Sequence, residues 1–119
     1  MGTNNLVEKE VVAFVEDANV PWEELGGGVR RKIMSYDDRV MLVKVDFETG
    51  AIGSLHKHYH TQISYVESGS FEVEIDGKKQ ILNKGDVFYV TPNLIHGVVC
   101  LEKGMLVDVF SPMREDFIK

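Results

Sequence analysis

Three of the four histidines fall within one heptapeptide, HKHYHTQ, at positions 56, 58 and 60, and Gln62 closes the run. A lone histidine in a small protein is ordinarily a surface or core residue with its hydrogen bonds satisfied. Three at alternate positions ask for another reason, because neutral imidazole is the commonest protein ligand for a metal ion. Alternate residues of a strand share a face, so His56 and His58 would present two rings side by side. Ligand atoms of one ion lie ~2.0–2.2 Å from it, and hence within about 4.5 Å of each other. On a straight strand residues 56 and 62 would be about 20 Å apart. For Gln62 to join His56 and His58, the chain must turn sharply between Tyr59 and Thr61. Gln62 would then bring a neutral oxygen, leaving the full charge of a divalent cation to act on a substrate. A fourth ligand must come from elsewhere, and among the histidines only His96 remains. It follows GDVFYVTPNLIHG, where Gly85-Asp86 leads into a strand and Pro92-Asn93 ends it, a rigid turn able to fix one side chain.

The elements that must position these residues read mostly as strands. VRRKIM, VMLVKVDF, ISYV, FEVEI, QIL, VFYV, GVVCL and MLVDVF are short runs rich in β-branched and aromatic residues. Turn signals separate them at Tyr36-Asp37-Asp38, Glu48-Thr49-Gly50, Glu67-Ser68-Gly69, Asp76-Gly77, Lys84-Gly85-Asp86, Pro92-Asn93 and Lys103-Gly104. Asp76-Gly77 between FEVEI and KKQIL predicts a tight hairpin. Many short strands at roughly regular spacing predict an all-β sandwich or closed barrel. Residues 1–28 are an N-terminal arm on that barrel, which occupies 29–119. In the arm Val7, Val11, Phe14, Val15 and Ala18 fit helical spacing and β structure about equally, and Pro21 with Gly26-Gly27-Gly28 breaks any regular element.

Residues 50–69, GAIGSLHKHYHTQISYVESG, resemble the first cupin motif, G-x5-H-x-H-x3-E-x6-G, at every spacing, with Gln62 in the Glu position. Residues 85–100 resemble the second, G-x5-P-x-G-x2-H-x3-N. Gly85 and His96 match there, while Thr91, Asn93 and Cys100 replace Pro, Gly and Asn. The resemblance implies a double-stranded β-helix (jelly-roll) barrel holding one divalent transition metal on His56, His58, Gln62 and His96. DVFSPMREDF, residues 108–117, taken with the histidine cluster and PWEELGGGVRRKIM, is similar to the pectin-degradation cupins that linearise unsaturated uronates. That similarity implies metal-dependent ring opening of 4,5-unsaturated monouronates, from pectin or alginate breakdown, to linear keto-deoxyuronates. It places the catalytic and substrate-binding residues of an Asp-x-Phe-x3-Arg pattern at Asp108, Phe110 and Arg114. It also implies a homodimer and a small anionic sugar as substrate. The replacement of Glu by Gln weakens any analogy with iron dioxygenases.

The chemistry is reasonable from below. MLVDVF alternates, so either Met105, Val107 and Val109 face the core with Asp108 solvated, or Leu106, Asp108 and Phe110 face it; strand parity excludes both at once. Facing inward, Asp108 could take the anomeric proton of a cyclic hemiacetal, and Phe110 could wall the pocket. Arg114 is either an ion pair with Glu115 or Asp116, or a planar fork for a substrate carboxylate. Arg30 and Arg31 are second candidates, since one of an adjacent pair points inward. His60 is a ligand in place of His58 or Gln62, or, as the cupin spacing favours, a group beside the ligands or facing the substrate. Tyr59 reads as wall or surface, Cys100 as a buried apolar residue, and Trp22 as an anchor for the arm or an interface residue.

Composition bounds the rest. The 119 residues, 44% hydrophobic and 27% charged, make one globular domain. A net charge of −6 offers no basic surface for nucleic acid or an anionic membrane. One cysteine allows no internal disulfide, and neither a signal peptide nor a membrane span is visible, so a cytoplasmic protein is expected. Three imidazoles and an amide oxygen suit nickel, zinc, manganese, cobalt or iron alike. Other readings are a different metal-dependent cupin isomerase or dioxygenase on a small polar substrate, or a non-catalytic sugar-binding module.

Overall fold

The computed structural model describes residues 12–118. Among them are eight strands: β1 (Glu23–Gly26), β2 (Val29–Tyr36), β3 (Met41–Phe47), β4 (Ile52–His56), β5 (Thr61–Ile75), β6 (Lys78–Asn83), β7 (Val87–Val90) and β8 (His96–Ser111). A short helix, α1 (Glu115–Ile118), follows. All pairings are antiparallel in the order β1-β2-β3-β8-β5-β6, with β4 added to β8 and β7 to β5. This is the expected all-β jelly-roll architecture.

Two pairs of expected strands are each one long strand. ISYV and FEVEI are both in β5, and GVVCL and MLVDVF are both in β8. The expected turns at Glu67-Ser68-Gly69 and Lys103-Gly104 fall within these strands as bends, where the β5–β8 register shifts between Val66 and Phe71. Here the two backbones touch. A Cβ on Gly69 would lie 2.5 Å from the carbonyl oxygens of both Glu102 and Lys103, and one on Gly104 would meet the Ser68 carbonyl. Glycine therefore marks a close crossing of the two backbones at which each strand also bends sharply, since His96 and Phe110, from opposite ends of β8, lie 4.8 and 5.8 Å from the His58 ring. Beyond the crossing each strand changes neighbours. The first part of β5 pairs with β7 and the end of β8, and its second part pairs with β6 and the start of β8. Two facing layers result, and Phe47, Val66, Phe71, Val90, Cys100 and Leu106 fill the space between them. Cys100 is thus buried, as expected, and burial pushes its thiol up.

The Asp76-Gly77 hairpin forms as expected, both residues taking positive φ (52° and 82°) between β5 and β6. Two strands went unread in the sequence. β4 carries exposed Ile52 and Leu55 around Gly53 and Ser54, so it has no apolar alternation; pairing with β8 alone holds it extended. β1 lies where Pro21 and Gly26–Gly28 were expected to break any element. Glu23–Gly26 is fully exposed, and the three positive-φ glycines make the turn that returns it onto β2. The described part of the arm holds one 3-10 turn, Asp17–Asn19; Val7 and Val11 lie outside the described residues. Trp22 anchors the arm, with Arg30 stacked over its ring at 4.2 Å and the Lys32 ammonium at 4.7 Å.

Candidate functional site

Strand register brings the site together. β4 meets β8 so that His56 lies opposite His96. β5 meets β8 so that Gln62 lies opposite Phe110 and Ser64 opposite Asp108. Between β4 and β5 the chain reverses over residues 57–60, so no straight strand runs from His56 to Gln62. His58 sits in that reversal, its ring 5.5 Å from His56 and 4.8 Å from His96, centroid to centroid. One ring nitrogen each of His56, His58 and His96 lies within 4.8 Å of the other two. The Gln62 Oε1 atom is 3.0 Å from His58 Nε2. His56 is exposed, His58 half-buried and His96 buried, so the cluster opens outward.

The tautomers follow from the hydrogen bonds. The Nδ1 of His56 lies 2.8 Å from the Ser54 carbonyl, that of His58 3.1 Å from the His60 carbonyl, and that of His96 2.9 Å from the Leu94 carbonyl. A carbonyl only accepts, so the Nδ1 of His56 and of His96 carries the proton and the Nε2 of each presents a lone pair, whereas His58 faces an oxygen acceptor on both ring nitrogens. Metal-ligating histidines are held in this way. Burial keeps the rings of His58 and His96 neutral, pushing His58 down to about 4 and lowering His96 as well. The buried Nε2 of His96 has no hydrogen-bond partner. A buried lone pair left unmatched costs about 1–3 kcal/mol, and a cation would satisfy it. These residues therefore fit a divalent transition metal, with three imidazoles and an amide oxygen as donors.

The parity of β8 puts Leu106, Asp108 and Phe110 inward and buried, while Met105, Val107 and Val109 are only half-buried on the other face. Asp108 is 9% exposed, and burial raises its carboxyl to about 6. A hydrogen bond from Ser64 and the charge of Arg114 oppose that rise. Phe110 stands edge-on to His58, with centroids 5.8 Å apart. Arg114 lies over Phe110 at 5.0 Å and over Phe117 at 4.3 Å, and its fork grips Asp116 at 3.1 and 2.9 Å. The plain ion pair considered for Arg114 is thus present, beside the histidines.

His60 is buried, with its Nε2 3.2 Å from Glu115 Oε1 and its ring stacked on Tyr59 at 4.1 Å. Its ring groups with Glu115 and Asp116 rather than with the other histidines, and its backbone carbonyl holds His58. Exposed Tyr59 reaches Glu115 through its hydroxyl at 3.1 Å. Arg30 bonds Asp46 at 3.0 Å on the outer face of β2. Arg31 bonds Glu23 at 2.9 Å and stacks over Phe117 at 4.0 Å, so the two second candidates each already hold an acidic partner. Sequence reasoning missed Ser64. Its signal was present, since it is two residues beyond Gln62 on a strand and so shares its face. It also missed Glu115 as the partner that ties the C-terminal turn to Tyr59 and His60.

Residues 43–110 match the family described as cupin domain, which is more than half of the chain. The chain belongs to the cupin family. It is 53% identical over 107 residues to the pectin degradation protein KdgF of Dickeya dadantii, covering 88% of this chain and 96% of that protein. An RmlC-like cupin from Shewanella frigidimarina matches in structure with a TM-score of 0.87 at 42% identity, over 89% of this chain and 96% of the other. KdgF from Halomonas sp. matches with a TM-score of 0.86 at 38% identity, over 90% and 99%.

Proposed function

We propose that this protein is a pectin-degradation enzyme that opens 4,5-unsaturated monouronates to their linear keto form. The observation that carries the reading is the buried Asp108 carboxyl, raised to about 6 and linked through Ser64 and Gln62 to the cluster of three histidines. The 53% identity to a pectin degradation protein supports the substrate class. A divalent cation held by His56, His58, Gln62 and His96 would supply Lewis acidity toward substrate oxygens.

The chain's own residues account for the proton movements. The Asp108 carboxylate accepts the proton of the anomeric hydroxyl. As the C1 carbonyl forms, the bond from C1 to the ring oxygen breaks, and that oxygen leaves as an enolate on C5. The same carboxyl returns the proton to C4, giving the C5 ketone. Atoms and electrons balance as an isomerisation, with no water, oxygen or reductant consumed. A carboxyl titrating near 6 suits both halves, because it is ionised at neutral pH yet a competent acid. Phe110 excludes water at the reacting carbons. Arg114 exchanges its Asp116 partner for the uronate carboxylate.

Loss of the ultraviolet absorbance of the unsaturated uronate measures the reaction directly. Wild type should consume it, and Asp108→Ala should slow it by about 10²–10⁴-fold, the usual worth of a general acid–base group. A wild-type rate equal to that of the enzyme-free control sinks the reading. The same assay without oxygen separates it from a dioxygenase, which would stop.

A further inference from the structure

Ser64 is completely buried, and the single proton on its hydroxyl decides which way Gln62 faces. Its Oγ lies 2.6 Å from Asp108 Oδ1 and 2.9 Å from Gln62 Nε2. An ionised carboxylate only accepts, so the serine proton is committed to Asp108. What remains on Oγ is a lone pair, and the Gln62 amide must meet it with an N–H. The amide oxygen is thereby turned to the opposite side, 3.0 Å from His58 Nε2. That nitrogen belongs to a ring with an oxygen acceptor on either side, the His60 carbonyl at 3.1 Å and Gln62 Oε1 at 3.0 Å.

A glutamine free of Ser64 could rotate its amide half a turn and present an N–H to His58. With Ser64 in place, that rotation would set the amide oxygen against the Ser64 oxygen, whose proton is already given to Asp108. The amide oxygen is thus kept on the histidine side, where a cation would use it as a donor. We propose that Ser64 is a positioning residue that locks the Gln62 amide with its oxygen toward the cation. An amide then serves as ligand where a carboxylate, needing no such orientation, would serve unaided. The inference rests on the metal-binding reading above and not on the uronate chemistry.

Calorimetric titration of metal-free protein with Co²⁺, together with the visible absorption of the cobalt form, tests the proposal without any substrate. Four proteins suffice: wild type, Ser64→Ala, Gln62→Ala and the double variant. Alanine fits within the volume of serine, and circular dichroism verifies that the fold is kept. Ser64→Ala should weaken Co²⁺ binding by about 10–100-fold, as loss of a group supporting a ligand does. It should also change the cobalt spectrum in the direction that Gln62→Ala does. In the Gln62→Ala background Ser64→Ala should cost nothing further, because its effect passes through that amide. Wild-type affinity in Ser64→Ala, or an equal loss in both backgrounds, overturns the proposal. Failure of the wild type to bind Co²⁺ would remove the metal reading itself, which is a separate result.

Discussion

Asp108 carries opposite demands on one carboxyl. Its ordinary value of 3.8 is raised to about 6 because the ionised form loses water on burial, while the Ser64 hydroxyl and the Arg114 charge recover only part of that loss. The native carboxyl thus takes up a proton at higher pH than the unfolded chain does. Above pH 6 both states are ionised and the native one bears the cost of a buried charge. As pH falls from about 6 toward 4 the native state gains stability from this group. Asp108→Asn keeps an acceptor for Ser64 and removes the charge. In metal-free protein at pH 7.5 it should unfold at higher urea, by up to roughly 3 kcal/mol for a shift of this size. The advantage should shrink toward pH 4, and a gap that widened on acidification would contradict the account. Activity should follow the opposite course, falling below about pH 6 as the base is protonated.

Among the elements, the C-terminal segment and the crossing of β5 with β8 decide most. Met113 and Phe117 pack with Ile33 against the small core of Met41, Val43 and Phe110, which holds α1 over the site. Glu115 ties the same segment to Tyr59 and His60. Asp116 occupies the Arg114 fork that an anionic substrate would use, but it is itself exposed. The Arg114 side chain is only 11% exposed but Asp116 is 56% exposed, so the pair is open to solvent on its carboxylate side, where a substrate carboxylate can displace it. Steady-state kinetics of Asp116→Asn should show a KM for the uronate lowered by up to about five-fold with kcat little changed. Arg114→Ala should raise KM instead. At the crossing, Gly104→Ala would drive a methyl into the Ser68 carbonyl. Thermal and urea unfolding should show it destabilised by about 1–3 kcal/mol, as overpacking commonly costs, or unfolded outright. Gly77→Ala, with open space around its Cβ, should lose less.

At the scale of the whole molecule, one outer face carries a row of exposed apolar side chains among the described residues. Ile63 and Tyr65 on β5 pair with Tyr89 and Val87 on β7, and all four are exposed. A contiguous apolar surface of this kind marks a contact region, and a two-fold axis would set it against its own copy. The homodimer that the cupin resemblance implies is expected here. Sedimentation velocity should report a dimer for the wild type and a monomer for Tyr89→Glu. A wild-type monomer at micromolar concentration would rule the interface out.

The sequence by itself determined the strands with strong alternation, the Asp76-Gly77 hairpin and the histidine spacing, because each depends on neighbours along the chain. Strand periodicity also reduced Asp108 to two choices, and requiring Gln62 to reach His56 demanded the reversal found at residues 57–60. Only the tertiary structure chose between the faces of β8, since inward and outward are defined by what packs across the sheet. It alone showed that the Gly69 and Gly104 turns lie against each other where β5 and β8 bend together, because which two turns meet is set by pairing across the sheet. It alone set Ser64 between Gln62 and Asp108. That contact belongs to the pairing of β5 with β8, between residues 44 positions apart, and no local pattern encodes it.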